Sequence, residues 1–153
     1  MTDLTRDELA LCRQVRSMCA CNQLRRASRG MTQVYDSVVA QSGLTVTQLP
    51  VLVGLGSAGP LAVTTLAGAL GLDRTTLTRN LKVLEQRGLV HSVEHEGDAR
   101  VRMMALTDEG SSVLSEALAR WERVQLAVQE RFGEQRLRAL YAELDELAAV
   151  AAG

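Results

Sequence analysis

Three cysteines fall within ten residues: Cys12, Cys19 and Cys21. Their thiols are the side chains of this chain whose type and clustering best suit covalent chemistry. A thiolate can be oxidised by a peroxide, bridged to a second thiol or bound by a soft metal. Spacing restricts the options. Cys12 and Cys19 are seven apart and share one helix face, so their Cα atoms would lie about 10 Å apart along a straight helix. That is too far for a disulfide. Cys19 and Cys21 would point about 200° apart around a regular helix and could not share one ion. The other role open to all three is that of small packed hydrophobes. The two histidines, His91 and His95, could share a strand face but have no third ligand in reach, and paired CxxC spacing is absent. Neither a Gly-rich phosphate loop nor a Ser/His/Asp arrangement can be read from the spacing. No catalytic residues, metal site or cofactor are therefore expected.

A second group of residues suits recognition rather than catalysis. In Leu72–Gly88, LDRTTLTRNLKVLEQRG, Asp73 is a good helix N-cap and Leu77, Leu81 and Leu84 recur at helical spacing. Gly88 follows as a stop. The opposite face begins with Arg74, Thr75, Thr76, Thr78 and Arg79, continues with Lys82, and carries no carboxylate until Glu85. Short hydroxyls and guanidinium groups at a helix N-terminus suit base edges and phosphates in a major groove. The alternative is an ordinary amphipathic helix with a solvated polar face.

The charge distribution agrees with the first option. Net charge over the 153 residues is −1. Between Arg74 and Arg102, however, six cations stand against four acids, whereas Asp108 onward carries nine acids and five arginines. A mildly basic middle beside an acidic C-terminal arm fits a local nucleic-acid surface. Hydrophobic residues make up 46% and aromatic residues 3% of the chain, which indicates a packed, Ala/Leu/Val-rich helical protein. The first 16 residues carry six charges, so a signal peptide is not expected, and no apolar run reaches 18 residues. A cytoplasmic protein with free thiols is the expectation.

Around that stretch the elements read as follows. Thr5 and Glu8 form a capping box. Leu9, Cys12, Val15, Cys19, Leu24, Ala27, Met31, Val34 and Val38 then keep helical spacing, predicting one helix of over 30 residues that runs to about Ala40 and stops at Gly43. Thr45 or Thr47 is the expected cap of a second helix through Leu49, Leu52 and Leu55. Leu61–Val63 reads as short and extended. Thr64 is the expected cap of a brief helix ending at Gly71, two residues before the Asp73 cap, which makes a helix-turn-helix. Leu89–Glu94 and Val101–Leu106 read as a hairpin around Glu96-Gly97-Asp98. Thr107 caps a long helix to Phe132, striped by Leu114, Leu118, Trp121, Val124 and Val128. A last helix, Glu134–Ala149, carries Leu137, Leu140, Leu144 and Leu147 in line. The fold class is thus mainly α: a winged helix-turn-helix (residues 44–107) with a two-stranded β-wing, between an N-terminal dimerisation helix (1–43) and C-terminal dimerisation helices (108–153). Long flanking helices that cannot bury their stripes in so small a core imply a homodimer.

The chain resembles the MarR family of bacterial transcriptional regulators over nearly its whole length. The resemblance is most specific in GDARVRMMALTDEG, where Asp98, Arg100, Leu106, Thr107 and Gly110 fit the family's Asp-x-Arg and Leu-Thr-x-x-Gly pattern. LDRTTLTRNLKVLEQRGLV is similar to the family's recognition helix and following strand. The resemblance implies that Arg100, positioned by Asp98, enters a minor groove, where a guanidinium is favoured. It implies that Thr75, Thr76, Thr78 and Arg79 make major-groove and phosphate contacts, with Arg102 among the wing cations. The wing departs mildly from the pattern, carrying Val101 where many members have a charge and Glu94 and Glu96 nearby. Cys21 to Arg29, CNQLRRASR, is also similar to the segment around the reactive cysteine of the organic-hydroperoxide-sensing branch. In that branch two tyrosines hydrogen-bond the thiol. Tyr35 falls on one of those positions, and the other falls on Arg25, a departure. The implied function is a homodimeric repressor of a pseudo-palindromic double-stranded operator, released by a small-molecule inducer or by thiol oxidation. A thiol-based redox enzyme and an interaction module without DNA binding are the alternatives. The histidines' distance in sequence from the cysteines counts against the first, and the retained cations of Arg74–Arg102 count against the second.

Overall fold

The computed structural model describes residues 3–94 and 102–152. Helix α1 (Arg6–Met18) starts on the expected capping box: the Thr5 hydroxyl accepts from the Glu8 N–H, while the Thr5 N–H donates to Glu8 Oε2 at 2.7 Å. The single long helix expected from Leu9 to Ala40 is interrupted. Cys19 leaves helical geometry at φ −68°, ψ 111°, and α2 (Ala20–Val39) begins beyond it. Two side chains support the break, one of them taking a carbonyl that the interrupted helix leaves open. Gln23 Nε2 donates to the Ser17 carbonyl at 3.0 Å, and the Ser17 hydroxyl donates back to the Arg13 carbonyl at 3.0 Å, a bond that tends to bend a helix.

A single 3₁₀ turn (Ala40–Ser42) and Gly43, at φ 75°, close α2. Helix α3 (Leu49–Ala58) is entered without either expected threonine cap. Instead Gln48 occupies the cap position and its side chain accepts from the Thr45 N–H at 3.1 Å. Strand β1 (Leu61–Ala62) leads into α4 (Val63–Leu70), whose cap residue is Ala62 rather than Thr64. Gly71 at φ 61° turns the chain into α5 (Arg74–Gln86), the expected helix-turn-helix. Strands β2 (Val90–Val93) and β3 (Met103–Leu106) follow, then α6 (Asp108–Phe132) and α7 (Glu134–Ala152).

The sheet has three antiparallel strands in the order β1-β3-β2, one more than the expected hairpin. Leu61 pairs with Met104, and Val90 with Leu106. The extra strand uses the extended segment that precedes α4 and ties the wing to the helix-turn-helix. The core lies beneath these elements: Leu52, Leu66, Leu77, Leu81, Leu84 and Met104 are fully buried. Apolar burial is the main stabilising term here, at about 25 cal/mol per Å² removed from water. By contrast no residue of α1 is buried, and Leu140, Leu144 and Leu147 of α7 stay exposed. Among the described residues no helix is long and apolar enough to cross a membrane.

Candidate nucleic-acid interface

The outward face of α5 is assembled by its cap. Asp73 Oδ1 accepts from the Thr76 N–H at 2.9 Å, and Oδ2 accepts from the Thr76 hydroxyl at 2.6 Å. The Thr76 side-chain bond, followed by its backbone bond, holds the Asp73 carboxyl below the usual carboxylate value. The cap therefore stays charged at neutral pH, and its contribution to folding is lost only as acid protonates it. Leu77, Leu81 and Leu84 anchor the inner face. Arg74, Thr75, Thr78, Arg79 and Lys82 are exposed on the outer one, while Thr76 is half-buried. The Thr78 hydroxyl donates to the Arg74 carbonyl at 2.7 Å. Thr76 and Thr78 thus keep acceptor capacity, with their hydroxyl hydrogens committed inside the protein. Six expected contact residues are brought onto one solvent-facing helix surface.

The wing is set against this helix by the Leu-Thr-x-x-Gly segment. The Thr107 N–H donates to the Leu89 carbonyl at 3.1 Å and its hydroxyl donates to the Gly88 carbonyl at 2.6 Å. The same hydroxyl accepts from the Gly110 N–H at 2.9 Å, capping α6. Gly110 is buried against the backbone of Leu89, where a Cβ would lie 1.9 Å from the carbonyl oxygen. The motif therefore locks the first turn of α6 onto the end of the helix-turn-helix. Arg102, immediately before β3, is engaged internally: its Nη2 donates to Glu85 Oε2 at 2.6 Å. Asp98, Arg100, Val101 and His95 lie outside the described residues.

Two polar contacts join the N-terminal arm to this lobe, and a third joins the two arms. Arg87, the C-cap of α5, donates to the Gly43 carbonyl at 2.6 Å. Asp36 on α2 accepts from the Val46 N–H at 2.7 Å. Arg120 on α6 donates to the Gln41 side chain at 2.5 Å. None of these partners was visible as a local motif, because each pairs residues ten or more apart.

The arms themselves enclose an open groove of about 1530 Å³ between α2, α6 and α7, lined by residues such as Leu24, Met31, Val34, Val128 and Leu140. Tyr35 lies inside it, with its hydroxyl on Gln125 Oε1 at 2.5 Å, and Gln125 Nε2 in turn donates to the Tyr141 hydroxyl at 3.4 Å. Burial, then the neighbouring Tyr141, raises the Tyr35 pKa. The Tyr35 hydroxyl in this chain is thus engaged by α6 and not by a thiol. Cys12 and Cys21 are exposed and Cys19 is half-buried at the helix break; all three thiols are free. Arg25 is exposed on α2.

A winged helix-turn-helix carried on long helical arms defines the class of protein. The chain belongs to the MarR family of transcriptional regulators, whose family model matches residues 42–101, from the end of the N-terminal arm to just before β3. Members of this family are regulators, not enzymes. The organic hydroperoxide resistance transcriptional regulator of Bacillus subtilis is 33% identical over 98 residues, covering 64% of this chain and 67% of that one. The M. tuberculosis transcriptional regulator MosR, solved in complex with DNA, is 37% identical with a TM-score of 0.76, covering 87% of this chain and 98% of that one. PcaV from Streptomyces coelicolor, at 24% identity and a TM-score of 0.79 over both whole chains, shares the fold.

Proposed function

We propose that this DNA-binding regulator is a homodimeric repressor that reads a pseudo-palindromic operator with the exposed face of α5. The observation that carries the reading is the cationic, hydroxyl-bearing face of α5, free of acids from Arg74 to Lys82 and held outward by three fully buried leucines. Arg79 and the neighbouring threonines take the base edges and phosphates of the major groove. Arg100, positioned by Asp98, takes the minor groove. MosR, captured on DNA at 37% identity, supports this assignment. A second copy covers the exposed apolar faces of α1 and α7, so that two reading helices sit about 34 Å apart, one turn of DNA.

Release is through the thiols at the N-terminal break or through a small-molecule inducer between the arms and the lobe. The relative named for organic hydroperoxide resistance supports the thiol route. In that route the Cys21 thiolate attacks an organic hydroperoxide. The O–O bond breaks, the sulfur gains oxygen as a sulfenic acid and the alcohol leaves.

The test of DNA reading is a gel-shift series on the fragment upstream of the protein's own gene. Arg79→Ala and Arg100→Ala are each expected to weaken binding by roughly 1–3 kcal/mol with folding intact. Affinity should fall steeply with salt as phosphate contacts release counterions. Binding indifferent to salt, or surviving both substitutions together, would overturn the assignment.

A further inference from the structure

The family resemblance makes Arg102 one more cation for DNA. Its surroundings give it a different task. It is the residue immediately before β3, and it reaches both helices of the helix-turn-helix. Its carbonyl accepts from the N–H of Val63, the first residue of α4, at 3.1 Å. Its guanidinium donates to Glu85, on the last turn of α5, at 2.6 Å. The Glu85 side chain retains only 28% of its exposure, against 47% for Arg102, so the pair is partly shielded from solvent. Among the described residues the other polar links are the backbone pairs of β1 with β3 and, at the hairpin's exit, the Thr107 N–H on the Leu89 carbonyl and the Thr107 hydroxyl on the Gly88 carbonyl. Among the described residues the Glu85–Arg102 bond joins the wing to the last turn of the reading helix through side chains on both sides.

We propose that Arg102 is a positioning residue: Glu85 holds it off the phosphates, and the pair fixes the angle between the wing strands and α5. This rests on the reading that α5 and the wing engage one DNA site together. Two chemically different outcomes follow for the two residues. A phosphate-contacting Arg102 would add about 0.9 to the slope of log affinity against log salt. Glu85 would then act as a nearby repulsive charge, and its neutralisation would strengthen binding. A tie predicts the reverse for Glu85: removing either partner loosens the wing and weakens binding, with the salt slope unchanged.

The experiment uses the full chain with Arg102→Gln, Glu85→Gln and the exchanged pair Glu85→Arg/Arg102→Glu. Operator affinity is measured across a salt series. Amide hydrogen exchange at Val63 and β3 is measured without DNA. The expected result is a loss of roughly three- to fivefold in affinity for each single variant, the range of a partly exposed ion pair. The slope should stay that of the wild type, Val63 and β3 should exchange faster, and the exchanged pair should recover both. A slope reduced by about one unit in Arg102→Gln, together with tighter binding by Glu85→Gln, would make Arg102 a phosphate contact and overturn the proposal. Unchanged exchange in both single variants would overturn it as well. A wild-type chain that binds no DNA would instead refute the DNA reading, and the exchange rates would still decide the tie.

Discussion

Gly110 shows how a single position can be recognised in a sequence before its reason is known. Leu106, Thr107 and Gly110 match a family pattern, yet nothing in their spacing says why the third must lack a side chain. The backbone answers: the Leu89 carbonyl occupies the place of a Cβ, and Thr107 bridges the Gly88 carbonyl and the Gly110 N–H. Because the obstacle is main chain, it cannot swing aside as a side chain would. Gly110→Ala is expected to destabilise the fold by about 3 kcal/mol or more, read by urea unfolding. A loss under about 1 kcal/mol would show that α6 can move off β2 freely. Tyr35 is the opposite case. Its position matched a thiol partner by resemblance, but its hydroxyl bonds Gln125, 90 residues on, which no local pattern displays.

At the level of elements, three of the helix caps and the glycine stops were legible, and the continuity of the first helix was not. Thr5, Asp73 and Thr107 all cap where their spacing indicated, because capping is local chemistry. The break at Cys19 has neither Gly nor Pro to mark it; its support comes from Ser17 and Gln23, whose side chains look unremarkable in sequence. The missing caps at Thr45, Thr47 and Thr64 have the same origin: Gln48 and strand β1 determine those entries through pairing. The break also changes the thiol geometry. Cys12 and Cys19 remain on one helical run, since the Cys19 N–H still donates to the Val15 carbonyl. Cys19 and Cys21 straddle the break, so the separation computed for a regular helix does not apply to them. Treatment with an organic hydroperoxide is expected to lower operator affinity at least about tenfold in the wild type, a coupling of ~1.4 kcal/mol. Cys21→Ser should not respond. Unchanged wild-type affinity would make the cysteines packing residues and leave release to a small molecule.

For the whole molecule, the mainly α, winged architecture was readable because periodicity and turn chemistry agreed along the chain. The unpartnered stripes were readable too. Met18 is 72% exposed, and Trp121, Leu140 and Leu144 also face solvent in the single chain. Apolar exposure on this scale marks an association surface. The proposed dimer should bury on the order of 2,000 Å² or more, as obligate interfaces do. Sedimentation equilibrium at micromolar concentration is expected to give a dimer, and Leu140→Asp with Leu144→Asp should yield a monomer or an unfolded chain. A folded wild-type monomer would refute the dimer. The boundaries at residues 43 and 107 are a proposal of the same kind, resting on the Arg87 bond to the Gly43 carbonyl and the Gly110 N–H bond to the Thr107 hydroxyl, which cross from lobe to arm.

The pairing of β1 with β3 has a bearing on how the protein is made. Leu61 and Met104 meet across about forty residues of chain, and that span contains both helices of the helix-turn-helix. Such a closure must wait for its second half, since an unpaired strand of two residues gains nothing alone and the loop's entropy must be spent first. On a ribosome, α4 and α5 therefore emerge before the strand that fastens them, and the lobe is finished only after Leu106 has cleared the exit. The next residues to appear are those of α6, whose first turn seals the lobe through Thr107 and Gly110. Completion of the reading head and birth of the arm are thus consecutive events in synthesis, and a chain truncated before Met103 would carry the reading helix without the strand that fastens it.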